Sequence, residues 1–98
     1  MEYEIIPSKF FLEQLDYLSD EAIKLVEEKL LLLKINPYRY KRIKGFKLFL
    51  FRIRFEDLRK EKRIIYLVDK PKVKILCILD RDGEYKHLLK FLKKYGYL

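Results

Sequence analysis

The chain has 98 residues, half of them hydrophobic, with 7 Phe, 8 Tyr and a single Cys, which is enough for one small core and too little for a second, so residues 1–98 are read as one domain. The lone Cys77 excludes an intrachain disulfide, and the opening MEYEII has neither a basic segment nor the apolar run of a signal peptide. The longest apolar runs, LLLL at 30–33, IIYLV at 64–68 and ILCIL at 75–79, are far short of a membrane span, so a cytoplasmic protein with no membrane partner is expected.

In chain order, YEII at 3–6 reads as a short strand ended by Pro7. Ser8 is placed to cap a first helix, in which Phe11, Leu15 and Leu18 recur at helical spacing. Ser19 and Asp20 start a second helix carrying Ile23, Val26, Leu30 and Leu33, and Asn36-Pro37 stops it. The basic segment YRYKRIKG at 38–45 leads through Gly45 into strand-like sequence.

From Phe46 to Phe55 the residues alternate, with Phe49, Phe51, Ile53 and Phe55 on one face and Leu48, Leu50, Arg52 and Arg54 on the other. EDLRKE at 56–61 reads as a connection, KRIIYLVD at 62–69 as the next strand, Lys70-Pro71 as a turn and Val73 to Leu79 as the last strand. A final helix follows Asp80 to Gly83, with Tyr85, Leu88, Leu89, Leu92 and Tyr95 on its apolar side. The order β-α-α-β-β-β-α implies an α+β fold in which an antiparallel sheet is covered on one face by a helical hairpin and left partly bare on the other. The bare face is the one carrying Arg52 and Arg54.

Charge is unevenly spread. Residues 1–33 hold 3 basic and 8 acidic groups, and residues 34–98 hold 20 basic and 7 acidic groups, for a formal total of +8. Such a field favours a polyanion, nucleic acid above all, although a Lys-rich surface of the thermophile kind has the same composition. Arg52 and Arg54 lie about 7 Å apart on one strand face, and charge guarding an edge strand explains them equally well. Arg63 and Arg81 are further basic candidates. No Cys-x-x-Cys, His cluster or Gly-rich phosphate loop is present, so no metal and no cofactor is expected. His87, the single histidine, falls on the polar side of the last helix with Lys90, Phe91 and Lys94, and Cys77 reads as a core residue.

The series RIKG at 42–45, FRIR at 51–54, KRIIY at 62–66 and LDRDGEY at 79–85 resembles the RelE/ParE superfamily of toxin–antitoxin toxins, most closely its RelE branch, over nearly the whole chain. The resemblance implies a RelE-like, microbial-ribonuclease-like fold and a metal-independent endoribonuclease that cuts messenger RNA in the ribosomal A site. It carries Arg52 and Arg54 onto the family's paired basic strand residues, Arg63 onto the arginine of the next strand, and Arg81 and Tyr85 onto the arginine and tyrosine after the last strand. Lys44 takes the basic-Gly position, where RNA binding is implied. Arg63, Arg81 and Tyr85 are thus the implied catalytic set, although Tyr85 shares a helical face with Leu88, Leu89 and Leu92 and reads equally as a core aromatic.

The implied partners are a RelB-like antitoxin, in a hetero-oligomer with the toxin, together with the ribosome and messenger RNA. The antitoxin is expected on the mixed face of Leu48, Leu50, Arg52 and Arg54. A ParE-like gyrase poison, or an inactive relative that acts only in an antitoxin complex, is the alternative. The chain departs from the family in its long EDLRKEKR entry to the Arg63 strand, which leaves Arg59 and Lys62 as competitors for that position.

Overall fold

The computed structural model describes residues 2–98, the side chains of Glu84 and Tyr85 excepted. The elements are β1 (Glu4–Pro7), α1 (Lys9–Leu15), α2 (Asp20–Leu33), β2 (Lys41–Arg42), β3 (Leu50–Asp57), β4 (Lys60–Asp69), β5 (Lys72–Asp80) and α3 (Glu84–Lys94). The strands form one sheet in the order β1-β5-β4-β3-β2. It is antiparallel from β5 through β2, and β1 joins β5 in parallel. Hydrophobic periodicity carries no information about that direction.

Both capping serines act as expected. Ser8 Oγ accepts from the Phe11 amide at 3.0 Å and donates to the Leu76 carbonyl at 2.7 Å, so one hydroxyl starts α1 and ties it to β5. Ser19 Oγ accepts from the Ala22 amide at 3.1 Å and donates to Asp57 Oδ1 at 2.7 Å, fixing the start of α2 to the end of β3. Gln14 extends the first of these junctions: its side-chain amide donates to the Ile78 carbonyl at 2.8 Å and accepts from the Ile78 amide at 2.6 Å. It thereby occupies the place of a neighbouring strand where β1 has ended.

The sheet separates two apolar clusters. On one face Phe11, Val26 and Leu33 of the helical hairpin pack on Phe51, Ile53, Ile64 and Tyr66. On the other, Leu88, Phe91 and Leu92 of α3, with Ile43, cover Leu50, Ile65, Leu67, Leu76 and Cys77. The second face is therefore covered over Leu50 and Arg52, and it is bare, as expected, only toward the hairpin end at Arg54 and Glu56. Among the described residues Leu88, Phe91 and Leu92 seat α3, each contributing roughly 1.5–3 kcal/mol by burial. Phe91, which the spacing put on the polar side with His87, is 9% exposed, whereas Tyr95 and Leu89 remain substantially exposed.

A bulge makes this second face possible. Ile65 pairs with Cys77 and Tyr66 with Ile75, so Leu76 is an extra residue in β5. Two consecutive side chains, Leu76 and Cys77, then face α3, while Ile75 and Ile78 both face the hairpin.

The β3–β4 connection is tighter than the charged run EDLRKE suggests, because strand pairing continues to Asp57↔Lys60. Only Leu58 and Arg59 turn the chain, and both have positive φ, 50° and 68°. That conformation suits Asn-Gly, whereas Leu and Arg adopt it under strain. Leu58 is also 79% exposed, so no burial offsets the strain. The double variant Leu58→Asn/Arg59→Gly is expected to raise unfolding stability by about 1 kcal/mol, seen as a higher urea midpoint with an unchanged slope.

Candidate functional site

Strand alternation and register place four charged residues on the α3 side of the hairpin tip. Arg54 and Glu56 project from β3, and Glu61 and Arg63 from β4, with Arg54 opposite Arg63 and Glu56 opposite Glu61. Residues directly across an antiparallel pair are the closest neighbours on a face, so both cross-strand pairs are like-charged and unfavourable. The diagonals have opposite sign.

Glu61 relieves the repulsion. Its carboxylate accepts an ion pair from Arg63 Nη1 at 3.1 Å through Oε1 and from Arg81 Nη1 at 3.2 Å through Oε2. The Arg81 amide donates to the Glu61 carbonyl at 3.1 Å, holding the backbone after β5 beside β4. Two arginines 18 positions apart in the sequence thus converge on one anionic group. Hydrogen bonding from Arg63, followed by the charges of Arg63, Arg81 and Arg54, holds the Glu61 carboxyl below the ordinary carboxylate value.

Burial divides the sequence candidates. Arg63 is 3% exposed and Arg52 9%, whereas Arg54, Arg81 and Lys44 are exposed. Arg52 lies between Lys41 of β2 and Ile65 of β4. An open cleft of about 750 Å³ at the hairpin end is lined by Arg54, Arg59, Lys60, Glu61, Arg81 and neighbouring acids. Arg54 and Arg81 meet there; Lys44 is not among the lining residues and lies in the segment between β2 and β3. Tyr85 is in the first turn of α3, and its side chain lies outside the described residues.

Of the competitors for the Arg63 position, Lys62 pairs with Asp80 at 2.7 Å and Arg59 sits in the turn, leaving Arg63 opposite Arg54. The mixed docking face is corrected, because Leu50 and Arg52 are buried and Leu48 is half-buried. Segment 43–50 and α3 supply the cover that a count of strands alone omits.

Glu61 was missed by sequence reasoning. It sits in a run of charges that reads as a loop, and the signal that finds it is the alternation Glu61-x-Arg63 continued back from KRIIY. Among the described residues no group of three His, Cys, Asp or Glu side chains forms a metal site, and no helix is long and apolar enough to cross a membrane. Cys77 is fully buried, and burial pushes its thiol up to about 12, so it is no nucleophile. His87 is exposed; its ring lies against Gly83, where an added Cβ would approach Cε1 to 3.3 Å.

A solved structure of the E. coli toxin RelE, a mutant in the free state, is similar to this chain with a TM-score of 0.75. The match covers 97% of this chain and 98% of that one, at 15% sequence identity. The chain therefore has the RelE fold, in agreement with the resemblance carried by its motifs. No family model and no curated protein matches the sequence.

Two expectations follow from the burial and charge of the site. Arg63→Ala should cost about 2 kcal/mol in urea unfolding, because it removes a buried stem and one partner of Glu61, whereas Arg81→Ala, a surface change, should stay within about 0.5 kcal/mol. The Glu61 carboxyl should titrate below 4.5 when followed by carbon NMR. Its pairing then stabilises the fold fully above that ordinary value and is lost only as pH falls through the depressed one.

Proposed function

We propose that the protein is the toxin of a toxin–antitoxin pair and acts as a ribosome-dependent, metal-independent messenger-RNA endonuclease. The observation that carries this reading is the convergence of Arg63 and Arg81 on a single carboxylate beside Arg54. A carboxylate held by two guanidinium groups occupies the kind of site a phosphodiester needs, and the like-charged cross-strand pairs are an arrangement that stability alone disfavours.

In the proposed reaction the RNA 2′-hydroxyl attacks the adjacent phosphorus, forming the O2′–P bond and breaking the P–O5′ bond. The products are a 2′,3′-cyclic phosphate and a free 5′-hydroxyl. Arg81, exposed and ion-paired with Glu61 at the cleft, moves from Glu61 to the phosphate and stabilises the charge that builds on the phosphorane. Arg63 stays buried and sets the field from below. Tyr85, which the resemblance to RelE-type toxins places in the role of base, is assigned removal of the 2′-hydroxyl proton. Arg81 is an unsuitable proton donor because a guanidinium pKa exceeds about 12, so the leaving oxygen takes its proton from water or the ribosome. Arg54 and Lys44 contact the RNA backbone, and buried Arg52 supports Arg54 from within the strand.

His87 is not among the described residues that line the cleft, and positioning of the message by the ribosome supplies the near-attack geometry. A RelB-like antitoxin is the proposed protein partner in the cytoplasm, blocking the cleft until it is removed.

The test is primer extension on messenger RNA from an in vitro translation reaction. Breaks at A-site codons are the expected outcome. Arg81→Ala and Tyr85→Phe should each lower the cutting rate by about 100-fold or more with the fold retained. Intact message with arrested replication would transfer the protein to the gyrase-poison class, and wild-type cutting by Tyr85→Phe would make Tyr85 structural.

A further inference from the structure

Between Glu28 and Glu56 the chain carries nine lysines and arginines and no acidic residue. The cleft uses one of the nine, Arg54, and the fold buries another, Arg52. The two-residue edge strand β2 distributes the next pair over both faces of the sheet. Lys41 pairs with Arg52 and so stands on the face of the candidate site, and Arg42 pairs with Phe51 and stands on the other.

On that other face the Arg42 guanidinium lies 4.4 Å from the centre of the Phe49 ring. Phe49 remains 51% exposed in spite of this contact. A second half-exposed ring, Tyr38, packs edge-on against Phe51 at 5.8 Å, and Arg39 lies 5.5 Å from the Tyr40 ring beside it. Lys44 and Lys47 are exposed in the segment that follows β2. Half-exposed rings in a stretch of chain that carries cations and no acids leave π-faces in water where core packing would have hidden them. A single nucleic-acid strand needs both features, because its phosphates take the cations and its unpaired bases take the rings. Duplex hides its bases and would use only the cations.

We infer that the β2 edge, centred on Arg42 and Phe49, is a second contact surface for single-stranded RNA, distinct from the cleft and reached from it across Lys41. The assignment of RNA as the strand rests on the proposed function. The binding does not require cleavage, a ribosome or Tyr85. RNA entering the cleft at Arg54 continues past Lys41 around the sheet edge and stacks a flanking base on Phe49.

Fluorescence anisotropy of a labelled, unstructured ten-nucleotide RNA, with the full chain in a salt series, tests this. Phe49→Leu keeps an apolar side chain and the fold but removes the ring, and should weaken binding about tenfold. Phe49→Tyr should restore binding to within about twofold, and Arg42→Gln should lower the slope of log affinity against log salt by about 0.7. Duplex RNA of the same length should bind the wild type and Phe49→Leu alike. The inference is overturned if the wild type fails to bind the single strand, if Phe49→Leu binds it as the wild type does, or if duplex competes equally well. Absence of A-site breaks with ring-dependent binding would remove the proposed nuclease and leave this surface standing; the opposite pair of results would remove only this surface.

Discussion

Residues Ile64 to Val68 are buried without interruption, so this central part of β4 has no solvent face, and the register of β3 and β5 against it fixes which side chains meet. A slip of one residue would exchange Ile64, Tyr66 and Val68 with Ile65 and Leu67, and would turn Arg63 into the helical hairpin. It would also remove the Tyr66 hydroxyl from the Pro37 carbonyl, which it donates to at 2.7 Å in the interior. Burial pushes the Tyr66 phenol well above its ordinary value, so it is fixed as a neutral donor. The bulge at Leu76 belongs to the same constraint. It resets the alternation of β5 just before the chain reaches Asp80, which places Lys62 opposite Asp80 and Arg81 beside Glu61.

The charged end of the hairpin depends on this rigid base. Arg63 is held in the interior by strand register, and Glu61, two residues earlier on the same face, comes out toward the cleft. The pair therefore runs from core to surface, with a buried cation setting the potential of a half-exposed anion. Arg81 completes it from outside and is the mobile member in energetic terms, because an exposed ion pair contributes little. In the proposed reaction a phosphate would need to displace only that weak outer contact.

Charge asymmetry along the sequence has a three-dimensional counterpart. The acidic first third is mostly helical hairpin, and the acid-free stretch from Lys29 to Phe55 leads from the end of α2 to the sheet edge. The hairpin is thus the electronegative side of the molecule, while β2 and α3, with Lys86, Lys90, Lys93 and Lys94, are electropositive, and the cleft lining balances Arg54, Arg59, Lys60 and Arg81 against Glu56, Glu61, Asp80 and Asp82. The charge distribution is directional, and its positive side is the β2 edge and α3.

Local physics, which the sequence contains, determined most of the fold. Ser8 and Ser19 are short polar residues before apolar periodic runs, and they cap the helices they precede; the alternation from Phe51 to Phe55 matched the true faces because a pleat has period two. The motif series around Arg52, Arg54, Arg63 and Arg81 was also legible, since it is a matter of residue types and order. What only the tertiary structure decided was the surroundings of those residues. Burial of Arg52 and Arg63, exposure of Phe49 and the covering of the second face by α3 depend on elements distant in the chain. The Leu58-Arg59 turn defeated sequence reasoning because it uses residues that resist positive φ. The meeting of Arg63 and Arg81 on Glu61 depends on the bulge that brings the end of β5 level with the start of β4, and a one-residue shift in strand pairing leaves no mark in hydrophobic periodicity.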